Sequence, residues 1–256
     1  MRSGSPAVMW PRPSPGPARR SASCRIRCSS RIIRRSPPAP RTASFQVVTL
    51  FDFNSSAARK NPAGAIAAFR QAFGDDPACE LIVKTQNGAA HPQALAALSA
   101  AAGANVRIID ATWPYDRIKV LIAGADALIS LHRAEGFGLV MAEAMALGTP
   151  VIATAASGNL DFMDDASAVL IPAALVPVED PQAIYQGQSW AEPDLRVAAL
   201  ALRRLRQDPG LRQVLAAAGR RSVEERLSPQ AWRATLPLIV RDAIPAPAEA
   251  PVSLSG

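Results

Sequence analysis

Strand-length apolar runs alternate with helical patterns from residue 45 to residue 171, and this alternation constrains the fold more than any other feature. The strand patterns cover residues 45–51, 79–84, 105–110, 126–132, 150–154 and 168–171. Helix starts are marked by Asn61-Pro62 and Pro92, and a helix end by Gly148. Strands separated by single helices form a parallel sheet covered on both faces. We therefore predict an α/β fold with a Rossmann-like, doubly wound parallel sheet of about six strands, followed by extra C-terminal helices from residue 194 onward.

The charged residues divide the chain into a body and two ends. Residues 1–44 contain ten arginines, eight prolines and no acidic residue, whereas residues 45–256 hold 18 basic and 21 acidic residues, a net charge of −3. A stretch so polar and proline-rich cannot bury enough apolar surface to offset its ordering entropy. We expect disordered tails over residues 1–44 and 243–256, and a folded domain over residues 45–242.

Composition excludes several classes of protein. No charge-free apolar run reaches the length of a membrane-spanning helix, and the three cysteines are too few for a disulfide scaffold. The two histidines nearly exclude a His-rich zinc site, and we expect no metal and no cofactor. We expect a cytoplasmic protein without a specific nucleic-acid partner. Peripheral membrane association through the basic tail, or phosphate binding by it, stays open as an alternative.

Two loops at the predicted switch point of the sheet are the first places to look for a ligand. In a Rossmann-like strand order the first and fourth strands flank that point, which selects residues 52–60 and 133–137. The first loop ends in Arg59-Lys60, directly before a helix, and cations beside a helix N-terminus suit a phosphate. Lys84 ends the second strand on the same rim, so we expect it to supply a further cation.

The second loop combines glycines with carboxylates. Gly136 and Gly138 flank Phe137 where the next helix begins, and glycine lets the backbone approach a ligand closely. Glu135 lies in this loop and Glu143 in the second turn of the helix. Carboxylates accept hydrogen bonds from vicinal hydroxyls, so the two glutamates suit a ribose and a sugar ring.

The string SLHRAEGFGLVMAEAMALGTPVIAT, residues 130–154, closely resembles the signature of family 4 glycosyltransferases in their C-terminal, donor-binding domain. RKNP at residues 59–62 resembles the donor-phosphate loop of that family, and SGN at residues 157–159 its following glycine loop. QGQSWAEPD at residues 186–194 resembles a segment of one bacterial subgroup. The resemblance extends over about residues 45–242.

The resemblance implies a retaining enzyme of the GT-B fold that uses a nucleotide-diphosphate sugar, without a metal, in bacterial cell-surface polysaccharide biosynthesis. Lys60 would hold the donor phosphates, Glu135 would be the catalytic residue at the donor sugar, and Glu143 would bind the ribose hydroxyls. Phe53-Asn54-Ser55 stands where the family often has an arginine, so Lys84 would supply that charge. The full implied donor-binding set is Lys60, Lys84, Glu135, Gly136, Phe137, Gly138, Leu139 and Glu143.

GT-B enzymes have two Rossmann-like halves, and the resemblance covers a single half-domain. We therefore expect a separate N-terminal acceptor domain as a partner, and a chain that by itself binds its donor without transferring the sugar. A non-catalytic sugar-nucleotide-binding module or a truncated fragment is the main alternative. A nicotinamide-binding protein is disfavoured because residues 51–56, FDFNSS, contain no Gly-x-Gly-x-x-Gly. We interpret His132 as a hydrogen-bonded rim histidine rather than a catalytic base, and leave Trp190 between ligand stacking and helix docking.

Overall fold

A computed structural model describes residues 44–179 and 185–234, and the side chains of 232–234 are excluded. The predictions for most of the N-terminal tail, and for the C-terminal tail, fall outside these ranges. Eight strands lie within them: β1 Phe45–Leu50, β2 Cys79–Thr85, β3 Val106–Asp110, β4 Ala127–Ser130, β5 Val151–Thr154, β6 Val169–Ile171, β7 Ala173–Pro177 and β8 Ser189–Pro193.

Eight α-helices complete the described part of the chain: α1 Ala57–Lys60, α2 Pro62–Phe73, α3 Pro92–Ala101, α4 Tyr115–Gly124, α5 Leu139–Leu147, α6 Leu195–Gln207, α7 Pro209–Leu227 and α8 Pro229–Ala234. The expected helix starts are observed. Pro62 and Pro92 occupy the first turns of α2 and α3, where a missing amide is harmless, and α5 ends at Gly148.

Strands β1 to β6 form one parallel sheet in the order β3-β2-β1-β4-β5-β6. Val47 of β1 pairs with Leu81 on one side and with Ala127 on the other, so β1 and β4 are neighbours although two strands separate them in sequence. The strand order reverses there. The predicted six-stranded Rossmann-like sheet, with helices on both faces and at the C-terminus, is confirmed.

The period of two along each strand builds two cores. Val47 and Leu81 belong to the first core, with α2, α3 and α6, whereas Val48 and Ile82 belong to the second, with α4 and α5. Helix α7 contributes side chains to both. These four strand residues are at most 2% exposed, and burying an aliphatic side chain stabilises a fold by about 1.5–3 kcal/mol. The two cores hold the carboxyl ends of the strands in fixed positions.

An antiparallel hairpin of β7 and β8 was not anticipated from the sequence. Ala173 pairs with Pro193 and Val176 with Trp190, outside the main sheet. Both strands are short and end in proline, which argues against a strand in sequence-based reasoning. Trp190 and Ala191 are nevertheless buried, so tertiary packing decides the conformation.

Candidate functional site

Backbone strain is concentrated at the carboxyl edge of the sheet. Ser56, Asn61, Asn87 and Ser157 have φ of 62°, 53°, 65° and 77°, and they are the non-glycine residues with positive φ in the described ranges. They lie in the loops after β1, β2 and β5. Such conformations are uncommon outside glycine and cluster at functional sites, where the surrounding structure enforces them. The strain therefore indicates a binding site at this edge.

The loop after β1 uses its own side chains to cap two helices. Ser56 Oγ accepts from the amide of Arg59 at 3.3 Å, at the start of α1. Asn61 Oδ1 accepts from the Gly64 amide at 3.0 Å, and Asn61 Nδ2 donates to the Leu131 carbonyl at 2.9 Å. One of the α2 amides that the sequence assigned to a phosphate is thus already occupied. The same cap ties this loop to the end of β4.

Lys60 and Glu135, 75 residues apart, form an ion pair between Nζ and Oε2. Arg59 Nη1 lies 3.7 Å from the same oxygen and donates to the Ala134 carbonyl at 2.8 Å. The Lys60 and Glu135 side chains are 21% and 14% exposed, so both remain accessible to a ligand. The structure therefore brings together the residues expected at the donor phosphates and at the donor sugar.

Helix α5 presents an N-terminus without a side-chain cap. Gly138 precedes it with φ of 93°, and a Cβ there would lie 2.6 Å from Met141 Cε. The first amides of a helix lack intrahelical acceptors and carry the positive end of its dipole. Phe137 and Leu139, on either side of Gly138, are 38% and 53% exposed. The α5 N-terminus therefore has no side-chain acceptor for its first amides, and diphosphate binding by the backbone from Gly136 to Leu139 stays a prediction.

The loop after β5 contacts the backbone of the 135–138 loop. The Gly158 amide donates to the Glu135 carbonyl at 3.3 Å. A Cβ at Gly158 would lie 2.1 Å from the Gly136 carbonyl oxygen, far inside van der Waals contact. A side chain at position 158 would therefore clash with the loop that carries Glu135, so the close approach of the two loops requires glycine there.

His132 is a buried, neutral member of this support. Its Nε2 lies 3.2 Å from the Ala156 carbonyl and 3.1 Å from Asn159 Oδ1, so this nitrogen carries the proton. Its Nδ1 then accepts from the Ser130 hydroxyl at 3.0 Å. Burial lowers the pKa of His132 below its usual value, against smaller opposing effects from these hydrogen bonds and Glu135. The arrangement matches the interpretation as a hydrogen-bonded rim histidine.

Lowering the pH should destabilise the fold through His132. Because its pKa is lower folded than unfolded, the unfolded chain takes up a proton first, below about pH 6.5, and the free energy of unfolding falls. The ceiling for one group is about 1.4 kcal/mol per pH unit. Urea unfolding at pH 7.5, 6.5 and 5.5 should show a smaller pH dependence for His132→Gln than for wild type. His91→Gln is the control, and equal pH dependence in all three proteins would contradict the prediction.

Glu143 accepts a hydrogen bond from the Tyr115 hydroxyl at 2.6 Å. Tyr115 is the first residue of α4, and α4 and α5 both begin at the carboxyl edge of the sheet. Glu143 is partly buried, and its hydrogen bond with Tyr115 joins α5 to the start of α4. Tyr115 is a neighbour that the sequence did not indicate, and the assignment of Glu143 to a ribose stays a prediction.

Lys84 does not join the Lys60 cluster, which corrects the sequence expectation. It is 3% exposed, and its ammonium donates to the Thr85 carbonyl at 2.7 Å and to the Ala111 carbonyl. It also lies 5.2 Å from the centre of the Trp113 ring. Burial lowers the pKa of Lys84, although Asp110 opposes the shift. The ammonium thus links β2 to the segment after β3. Two cations at the ends of neighbouring strands therefore do not necessarily contact the same ligand.

Arg133 is a residue that sequence reasoning passed over, although it stands inside the string that carries the resemblance. Its guanidinium pairs with Glu192 of β8, and Nη1 donates to the Ala58 carbonyl at 2.7 Å. It lies 5.3 Å from the centre of the Trp190 ring. Trp190 is 5% exposed and packs against this arginine, which argues against stacking on a ligand.

The described residues contain neither a cluster of metal ligands nor a membrane-spanning helix. No group of three or more His, Cys, Asp and Glu side chains there could hold a metal ion. No helix in the same ranges is long and apolar enough to cross a membrane.

Fold and site together define a Rossmann-like domain with a cationic cluster at the switch point of its sheet. Residues 53–222 match the family described as glycosyl transferases group 1. This is more than half of the sequence, and the chain belongs to that family. No curated protein matches the sequence.

Solved structures with the same fold are GT-B glycosyltransferases. HepE from Anabaena, solved with UDP and glucose, is 17% identical with a TM-score of 0.56, covering 72% of this chain and 44% of HepE. The C-terminal domain of the group 1 glycosyl transferase LpcC from Francisella tularensis is 21% identical with a TM-score of 0.54, covering 73% and 88%. WaaG, a glycosyltransferase involved in lipopolysaccharide biosynthesis, is 19% identical with a TM-score of 0.52, covering 79% and 47%. The chain thus spans less than half of HepE and WaaG, and most of the isolated LpcC domain.

Proposed function

We propose that this chain is the donor-binding half of a retaining, family 4 glycosyltransferase that uses a nucleotide-diphosphate sugar. The observation that carries the proposal is the Lys60–Glu135 ion pair beside the uncapped N-terminus of α5, at the switch point of the sheet. A diphosphate needs cations and free amides, and a sugar ring needs a carboxylate. Cations, a carboxylate and free amides occur together here, at the switch point of the sheet.

In this proposal the departing diphosphate is neutralised by protein groups. Lys60, with Arg59 beside it, provides the charge, and the first amides of α5 provide preorganised donors. Such groups act without reorganisation when negative charge develops on the leaving oxygen. We therefore propose that donor binding requires no metal ion and no other cofactor.

The ion pair suggests an order of events when the donor binds, in which the diphosphate is bound first and the sugar second. Glu135 neutralises Lys60 until a phosphate arrives, and the incoming diphosphate then takes over the ammonium. The released carboxylate is free to accept from sugar hydroxyls, while Glu143 accepts from the ribose. Glu135 would thereby act at the reacting sugar. HepE, whose structure holds UDP and glucose, supports a nucleotide sugar as the ligand class.

The acceptor and its setting belong to the same proposal. GT-B enzymes close two halves over the crevice, which positions the acceptor hydroxyl and excludes water. We propose an N-terminal acceptor domain as the partner of this half, and a cytoplasmic, membrane-peripheral role in bacterial cell-surface polysaccharide synthesis. The role of WaaG in lipopolysaccharide biosynthesis supports this setting.

Calorimetric titration of the full chain with UDP, GDP and ADP, each with and without EDTA, tests the proposal. We expect at least one nucleoside diphosphate to bind, with the same affinity when EDTA is present. Absence of binding to all three would refute the function. Binding that depends on added Mg²⁺ would refute the assignment of phosphate neutralisation to protein groups.

Glu135→Gln and Glu143→Gln should separate the two ends of the donor. Glu135→Gln should weaken binding of the nucleotide sugar but not of the free diphosphate, because it removes the carboxylate that competes for Lys60. Glu143→Gln should weaken both ligands by about 1 kcal/mol or more, because both contain the ribose. Titration of each variant with the diphosphate and with its hexose conjugate makes the comparison. Equal losses for both ligands in both variants would contradict the assignment.

A further inference from the structure

Arg133 connects the β7–β8 hairpin to the Lys60–Glu135 ion pair. Arg133 Nε and Nη2 form a two-pronged pair with the Glu192 carboxylate of β8, with Nη2 at 3.0 Å from Oε1. The Ala191 amide donates to the Arg133 carbonyl at 2.9 Å, and the guanidinium lies over the Trp190 ring. Backbone and side chain of Arg133 therefore both hold the same three-residue stretch of the hairpin.

The remaining contacts of Arg133 are with α1, the short helix that ends in Lys60. Its Nη1 donates to the Ala58 carbonyl at 2.7 Å, and its amide donates to the Arg59 carbonyl at 2.8 Å. In the opposite direction, Arg59 Nη1 donates a hydrogen bond to the Ala134 carbonyl at 2.8 Å. Ala58 is two residues before Lys60, and Arg133 is two residues before Glu135. One side chain thus joins the hairpin to both chain segments that carry the ion pair.

We propose that Arg133 and Glu192 are positioning residues that set the distance between Lys60 and Glu135, and that the hairpin thereby tunes the sugar end of the donor site. The inference rests on the proposed function. An arginine is needed because the planar guanidinium engages a carboxylate with two N–H groups and a carbonyl with a third. A lysine ammonium cannot satisfy that fixed geometry.

The position of this network restricts its effect to one end of the donor. Its contacts lie on α1, on the loop that carries Glu135 and on β8, whereas Glu143 and Tyr115 lie on α5 and α4. Arg133 lies two residues before Glu135 on the same loop, so its loss should displace Glu135, at the sugar, more than the Lys60 ammonium, whose long side chain can follow a phosphate. The affinity ratio between nucleotide sugar and free diphosphate therefore reports positioning, which a general loss of stability would not change.

The experiment compares Arg133→Lys, Glu192→Gln and the double variant in the full chain. Each is titrated with whichever of UDP, GDP or ADP the wild type binds, and with UDP-glucose, GDP-mannose or ADP-glucose to match. We expect each single variant to weaken the nucleotide sugar about tenfold and the diphosphate less than about threefold, as for residues that orient a ligand-binding group. The double variant should lose no more than either single variant, because both changes break the same pair.

Arg206→Lys is the matched control. Arg206 also pairs with a carboxylate, Asp76 at 2.6 Å, and lies over an aromatic ring, that of Phe73, but at the opposite edge of the sheet. It should leave the affinity ratio unchanged, and thermal unfolding by circular dichroism should verify that all variants fold. An unchanged ratio in the Arg133 and Glu192 variants, additive losses, or equal losses for both ligands would overturn the inference alone. Absence of nucleotide binding by the wild type would instead overturn the proposed function, and the inference with it.

Discussion

Replacing Lys60 with alanine should weaken nucleoside diphosphate binding by about 1.5–3 kcal/mol, or about 10- to 150-fold. The variant loses a charge-assisted hydrogen bond to phosphate. It also leaves the Glu135 carboxylate without its principal counter-ion, and that charge then repels the ligand. Because Lys84 is engaged by carbonyls of the main chain, it should not compensate. Calorimetry of Lys60→Ala against wild type, at fixed ionic strength, measures the loss.

Two further variants make the Lys60 result specific. Lys60→Arg keeps the charge and should retain part of the affinity. Arg204→Ala removes an exposed cation on α6, where the adjacent Arg203 contacts the Ala72 carbonyl at the far end of α2. It should bind like wild type. An equal loss for Lys60→Ala and Arg204→Ala would mean that net charge, and not the crevice, determines the affinity.

Gly158→Ala should destabilise the fold by about 1–3 kcal/mol, the range for an overpacked site, and reduce donor binding as well. The new Cβ would meet the Gly136 carbonyl oxygen at 2.1 Å, and no rotamer change can relieve the clash, because the backbone fixes the position of a Cβ and the oxygen belongs to the main chain. Relief requires a shift of the 135–138 loop, which carries Glu135 and starts α5. Urea unfolding and diphosphate titration of the same preparation measure the two losses.

Gly124→Ala is the control for this prediction. Gly124 ends α4, has no positive φ, and a Cβ there would have no neighbour within 4 Å. Alanine at that position should be neutral or stabilising by up to about 1 kcal/mol. If Gly158→Ala unfolds like wild type and retains its diphosphate affinity, the close approach of the two loops does not hold in solution.

The sheet and its switch point could be read from the sequence because their determinants are local. Apolar runs, prolines at helix starts and Gly148 at a helix end each act within a few residues. Six alternating strands leave few sensible orders, and the one observed places residues 52–60 and 133–137 side by side. The β7–β8 hairpin could not be predicted, because its strands are short and end in proline. The burial of Trp190 depends on residues distant in sequence, such as Arg133.

The residue-level chemistry depended on contacts that no local pattern encodes. Lys60 and Lys84 look alike in sequence, as cations on one rim. The fold pairs the first with Glu135 and buries the second on two carbonyls. An ammonium can be buried only where it finds acceptors, and one of the two acceptors of Lys84, the Ala111 carbonyl, lies 27 residues away in the chain.

The sequence by itself determined the class of fold, the edge of the sheet where we propose that a ligand binds, and the chemical types of the side chains there. It did so because hydrophobic periodicity and turn residues act over short distances. Only the tertiary structure decided that Glu135 neutralises Lys60, that Asn61 also donates to the Leu131 carbonyl, and that Arg133 links the hairpin to α1 and to the loop of Glu135. Hydrogen bonds and ion pairs depend on distances of a few ångströms between segments remote in sequence, and packing of the whole domain sets those distances.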